Sequence, residues 1–133
     1  MDLANIENAY DPNDGFAVEL NGPDEAPLTN EDGSRMTITV LGADSDAAVR
    51  ARNANVNKHL AKGARAKVTA ESSQADAASF LAKLTVGWNI TMGGQKPAFS
   101  QDEAQKLYLN PRLAFIREQV DAAIAERSNF LKR

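Results

Sequence analysis

Few residues in this chain are spaced for chemistry, and each set fails when its neighbours are considered. His59 is the only histidine, so any Ser-His-Asp arrangement would have to be built on it. The Asp-Ser-Asp run at 44–46 is better explained as the start of a helix, where a short oxygen-bearing side chain accepts an otherwise orphaned backbone N–H. Gly93-Gly94-Gln95-Lys96 offers the glycines and the lysine of a phosphate cradle, but Pro97 follows where Ser or Thr is needed, and no helix opens there. Asp11-Pro12-Asn13-Asp14-Gly15 has the oxygens of a calcium loop without their order, since glycine falls on a ligand position and no Glu closes the loop. The chain has no cysteine, which excludes a thiol nucleophile, a disulfide framework and every Cys-ligated metal site. There is no HExxH pair for zinc. Glu118 and Asp121 stand at helical spacing away from the apolar stripe and read as solvated. Asn89-Ile90-Thr91 matches a glycosylation sequon, which is irrelevant to a cytosolic chain. The expectation is a protein that is not an enzyme, with no cofactor and no metal, whose function lies in its surfaces.

The elements that must shape those surfaces follow from composition and periodicity. At 133 residues, 43% hydrophobic and 25% charged, the chain is expected to fold as one domain, 1–133, burying roughly two-thirds of its unfolded surface. Its start has neither a basic n-region nor an apolar run, and no stretch approaches the roughly 20 apolar residues that span a bilayer, so no membrane partner is expected. The net charge of −3 conceals an asymmetry: residues 1–34 carry −9, residues 35–67 carry +5 and the remainder carries +1. The pattern is read first as solubility with attraction within the chain, and second as head-to-tail pairing in which the acidic end of one subunit meets the basic helix of the next.

Residues 1–41 form an acidic, turn- and strand-rich part. Leu3, Ile6 and Tyr10 share one short helical stripe. Phe16, Val18 and Leu20 alternate with polar or small residues, as do Met36, Ile38 and Val40, predicting two antiparallel strands joined by a long loop. Residues 42–133 form the helical part. A helix over 46–62, capped by Asp44 or Ser45 and closed at Gly63, carries Val49, Val56 and Leu60 as a narrow stripe with Asn53 beside it. It also carries Arg50, Arg52, Lys58 and Lys62, with Arg65 and Lys67 beyond. No aromatic residue is interleaved with these bases, so nucleic acid is an unlikely partner. Ser73 and Asp76 resemble a capping box that opens a helix bearing Ala77, Phe80, Leu81 and Leu84 and ending at Gly87.

The link from Thr85 to Ser100 holds the only tryptophan. Trp88, Ile90, Met92 and Phe99 are expected to fill the centre of the core from this connector. Ser100-Gln101-Asp102-Glu103 caps a short helix with Ala104, Leu107 and Tyr108. Asn110-Pro111 then stops the chain and restarts it into a last helix with Leu113, Ile116, Val120 and Ile124 on one stripe. The fold class expected is α+β, mainly α: about four helices around a Trp-centred connector, with a small antiparallel ribbon near the N-terminus. The core set is Phe80, Leu84, Trp88, Phe99, Leu113, Ile116, Val120 and Ile124. Phe115 falls nearly opposite the last stripe, close to Ala122, and Phe130 and Leu131 lie past the helix end. These four are the expected partner-binding residues.

The segments ITVLGADSDAAVR, LTVGWNI, GGQKPAFSQDEAQKLYL and NPRLAFIREQVDAAIAERSNFL, in this order over residues 36–131, resemble the tail assembly chaperones of long-tailed (siphovirus-type) bacteriophages. The points that carry the resemblance are Gly42-Ala43-Asp44-Ser45, Gly87-Trp88, Gly94 with Pro97, Phe99 and Ser100, and Gln119-Val120. Where that family often has a carboxylate after the tryptophan, this chain has Asn89, so an ion pair from that site is missing. The resemblance implies a non-catalytic protein of the host cytoplasm, absent from the mature virion, that self-associates and binds the tape measure protein before the tail tube polymerises. It also implies a possible longer form made by ribosomal frameshifting, whose added domain contacts the tail tube protein. A structural tail completion or connector protein is the alternative.

Overall fold

A computed structural model describes residues 2–62 and 70–132. The fold is mixed α+β and mainly α. Its elements run α1 (Leu3–Ala9), β1 (Phe16–Glu19), β2 (Thr37–Val40), α2 (Asp46–Lys62), α3 (Ala70–Leu84), β3 (Thr85–Asn89), α4 (Gln101–Leu109) and α5 (Ala114–Ala125), with short 3-10 turns at Pro111–Leu113 and Arg127–Phe130. The helix end expected at Gly63, the bases Arg65 and Lys67, and the side chain of His59 lie outside the described residues.

The two expected strands pair antiparallel, with Phe16 opposite Val40 and Val18 opposite Ile38. Val18, Leu20, Ile38 and Val40 are buried, as their alternation requires. A third strand completes the sheet in the order β1-β2-β3. It comes from the stretch expected to be a helix end and connector: α3 stops at Leu84, and the chain turns straight into β3 without a loop. Thr85, Val86 and Trp88 are β-branched or aromatic and suit a strand, and the Leu84 carbonyl accepts from Leu41 N at 2.8 Å, tying the junction to the end of β2. The register places Ile38 opposite Trp88 and slips between Thr39 and Val40. Gly87 therefore lies within a strand and not at a helix terminus. Likewise α3 (Ala70–Leu84) contains Ser73 and Asp76, which therefore do not cap it.

Trp88 is not the centre of the core. The largest fully buried side chains are Tyr108, Leu20, Ile38, Leu84, Val40 and Val120, whereas Trp88 is half-buried at the sheet's edge. There its indole N–H donates to the Pro97 carbonyl at 3.0 Å and its ring meets Phe99 edge-on, with centroids 5.2 Å apart. Of the other expected core residues, Leu84, Ile116, Val120 and Ile124 are buried, while Phe80, Phe99 and Leu113 are half-buried and pack against the core. Ile90 is buried, but Met92 is 48% exposed. Gly93 and Gly94, at φ +60° and +78°, form a two-residue turn between Met92 and Gln95, which exchange backbone hydrogen bonds at 2.8 and 3.2 Å. Left-handed angles at both central positions suit a tight hairpin and favour glycine.

The remaining helix signals hold. Ser100 Oγ accepts from Glu103 N at 3.1 Å. The Asn110 side chain accepts from Arg112 N at 3.1 Å, with Pro111 at the first helical position. At the core's centre, Thr85 Oγ1 donates to the Leu81 carbonyl at 2.8 Å and lies 2.7 Å from the Tyr108 hydroxyl. Burial pushes the Tyr108 hydroxyl up to about 12.

Candidate functional site

The feature that sets this molecule apart from a simply packed fold is the outer face of α2. The helix is started from two places. Ser45 Oγ accepts from Ala48 N at 3.2 Å, and the Asn13 side chain, far back in the acidic turn, accepts from Asp46 N at 2.9 Å. Ser45 is therefore the cap, and Asp44 is free for a different role.

Among the described residues of α2, Ala48 and Ala51 are buried, small enough to let it lie close against α3, where Lys58 meets Asp76 at 3.5 Å. The apolar stripe does not enter the core: Val49, Val56 and Leu60 are 43%, 56% and 72% exposed. At 100° per residue their row sits about 130° around the helix from the buried alanines. Asn53 falls within that row, so positions 49, 53, 56 and 60 repeat at four, three and four, the spacing of a seam for another helix. Arg50 and Arg52 flank it, Arg52 also donating to the Ala43 carbonyl at 2.9 Å.

A second helix is similarly unpartnered. α1 is capped by Asp2, whose side chain accepts from Asn5 N at 3.0 Å, and none of its residues is buried. Leu3 is 81% and Ile6 38% exposed. Among the described residues, the helix is held at its far end. Lys132 N donates to the Ala9 carbonyl at 2.7 Å, Asp11 N donates to the Phe130 carbonyl at 3.0 Å, and the Tyr10 hydroxyl donates to Asp44 Oδ2. Arg127 closes this clasp, its Nε 2.7 Å from the same oxygen. Arg127, and then Tyr10, hold the Asp44 carboxyl down at about 2, while burial and the Asp44 charge raise Tyr10.

The expected partner-binding residues fare unevenly. Phe130 is a correction: it is 4% exposed, lies 6.0 Å from Phe16 ring to ring, and presses so close to Gly42 that a Cβ there would come within 3.1 Å. The chain turns back after α5 and buries it. Phe115 is half-buried against the core; its carbonyl accepts from Gln119 at 2.9 Å, and Gln119 also grips both the N–H and the carbonyl of Asn21 at 2.8 Å. Ala122 and Leu131 remain on the surface, Leu131 at 39% exposure. The Gln119 grip and the Asn13 and Asp44 contacts had no local sequence signal, because each joins residues far apart in the chain.

The acidic third is tied to the body by ion pairs and to the start of α2 through Asn13. Among the described residues, Glu19 meets Arg35 at 3.3 Å, Asp32 meets Lys96 at 2.8 Å and Asp11 meets Lys132 at 3.9 Å. The Lys96 contact, with help from Ser34, holds Asp32 well below the usual carboxylate range. Asn30, 4% exposed, anchors the loop by donating to the Asn89 carbonyl at 3.3 Å and accepting from Thr91 Oγ1 at 2.6 Å. Among the described residues no three of His, Cys, Asp and Glu group to hold a metal ion, and no helix is long and apolar enough to cross a membrane. No protein-family model, curated protein or solved structure matches the chain.

Proposed function

We propose that this chain is a non-catalytic tail assembly chaperone of a long-tailed bacteriophage. In this reading it holds apolar helices of a tape measure protein in the host cytoplasm until the tail tube encloses them. One observation carries the reading beyond the sequence resemblance: α2 turns Val49, Val56 and Leu60 to solvent on the side away from its own core contacts. A tape measure is a very long, largely helical chain with apolar stripes exposed before assembly, and such a row is the surface that fits one. Many copies acting along one client need only modest affinity each, since linkage through the client multiplies it. Modest affinity also lets tube subunits displace the coat. A frameshifted longer form would add the contact to the tail tube protein.

The test is co-expression with the phage's tape measure protein. A soluble complex is expected, and Val56→Asp with Leu60→Asp should abolish it while circular dichroism stays unchanged. A complex that survives this double substitution overturns the assignment of the face. The structural-component reading makes the opposite prediction about particles: mass spectrometry of purified virions should find none of this chain if it is a chaperone.

A further inference from the structure

The two unpartnered helices match each other in chemistry. On α1, Leu3 and Ile6 are the exposed apolar residues, with the capping Asp2 and Glu7 on either side of them, while Tyr10 follows the helix and packs against the body. On α2, Val49, Asn53, Val56 and Leu60 make the complementary seam, with Arg50 and Arg52 on either side. In heptad terms the α2 row is an a/d seam, Leu3 and Ile6 make one a/d pair on α1, and the flanking residues occupy the e and g positions that pair across two helices. Acids flank one row and bases flank the other.

We infer that α1 of one copy docks on the outer face of α2 of the next, joining copies head to tail. The inference rests on the proposed function only in giving its many copies a surface through which to join, and it needs no client. Three arguments favour this occupant over another pairing of the same chain. Two α2 seams face to face would bring Arg50 and Arg52 against bases, with Asp46 at the helix start as the only nearby acid on that face, and like charges across a seam are destabilising. Two α1 seams would oppose Asp2 and Glu7 to acids in the same way. Within one chain, α1 is anchored at its C-terminal end to the 130–132 segment and through Tyr10 to Asp44, while its free apolar side has no buried residue.

The two patches differ, so the contact is heterologous. It leaves an open α1 at one end and an open α2 at the other, and assembly continues unless the geometry closes a ring. A two-turn helix on a three-turn seam covers well under the roughly 1,600 Å² of a standard interface, so each joint is weak and the mean mass rises with concentration. Charge pairing at an exposed rim is screened by salt. Because a client helix would use the same α2 row, a bound α1 also keeps that row covered until a client displaces it.

The experiment is sedimentation velocity on the purified full-length protein and three variants, with circular dichroism to confirm the fold. The wild type should show concentration-dependent mass that shrinks at high salt. Leu3→Asp with Ile6→Asp (α1 disabled) and Val56→Asp with Leu60→Asp (α2 disabled) should each be monomeric alone. Mixed together they should form a one-to-one dimer that grows no further, because each supplies the face the other lacks. Glu7→Lys should weaken assembly at least tenfold, and adding Arg50→Glu in the same chain should recover most of the loss. A wild type that remains monomeric at every concentration overturns the inference. Self-association retained by the α1-disabled variant points to paired α2 faces and overturns it as well, as does self-association retained by the α2-disabled variant. The α1-disabled variant should still bind a tape measure protein, so loss of self-association and loss of client binding are separable.

Discussion

The body of the molecule and its two outer helices treat apolar residues in opposite ways. In the body, α3, α4, α5 and the sheet surround Tyr108, Leu84, Ile38 and Val120 with almost no exposure, and the polar atoms among them are paired, as Thr85 is with Tyr108. On α1 and α2, residues of the same types stand in water: Leu3, Val56 and Leu60 are each more than half exposed. A stripe of Val and Leu at helical spacing looks the same in both settings. What differs is the opposite face of the helix. α2 offers alanines to α3, and those satisfy its packing without the larger side chains. The body holds the shape, and the outer helices keep their apolar area in water.

The largest test of this contrast compares one leucine from each side. Leu84→Ala removes a fully buried side chain and should lower the unfolding free energy by about 3 kcal/mol. Leu60→Ala should change it by no more than about 0.5 kcal/mol. Urea unfolding measures both, and a large loss from Leu60→Ala would mean that α2's outer row is covered within the monomer.

Trp88 comes next and sharpens the boundary of the body. Half-buried at the sheet's edge, it should lose less on truncation than Leu84, about 2 kcal/mol for Trp88→Ala. Its emission maximum should fall between those of a buried and a water-exposed indole. Emission typical of a fully buried indole would restore it to the core's centre.

The buried hydroxyl pair tests the body from inside. Thr85→Val keeps the shape but leaves the Tyr108 hydroxyl without its partner in an apolar site, costing about 1–2 kcal/mol. Tyr108→Phe added to it should cost little more, because the unpaired group is then gone. A double-mutant cycle in denaturant reads this coupling.

Much of the body was legible in the sequence because its signals are local. Alternation marked β1 and β2, Ser100 and Asn110 marked helix starts, and the 113–124 spacing marked the stripe of α5. The third strand was not legible. Gly87 resembled a helix stop, and a five-residue strand entered straight from a helix carries too little alternation to outweigh that. The contacts that place α1, α2 and α5 were not legible either, since Asn13, Asp44 and Gln119 find their partners across tens of residues. The Phe130 reading failed for a related reason: a residue past the last helix looks peripheral until the chain's return against Gly42 and Phe16 is known.

The smallest effect lies at the joint between the two regions, the Tyr10–Asp44–Arg127 clasp. Arg127 and Tyr10 hold the Asp44 carboxyl at about 2, below its ordinary 3.8. A carboxylate whose folded pKa is depressed contributes stability that is present above about pH 4 and is lost as pH falls toward 2. The Asp44 side chain is 37% exposed, so solvent screening keeps the contribution below about 1 kcal/mol. Asp44→Asn should therefore remove a shallow part of the acid limb of the melting curve between pH 4 and 2. Arg127→Gln should remove much of the same part, and the two together should do little more than either alone. Because Tyr10 closes α1, the same substitution should loosen α1 against the body without unfolding it, leaving its backbone bonds to the 130–132 segment. Fast amide exchange confined to residues 3–10 in Asp44→Asn, with the body still protected, is the expected signature. An undiminished acid slope in that variant would mean that the clasp does not hold α1, and the outer helix would then be anchored only by its backbone bonds to the 130–132 segment.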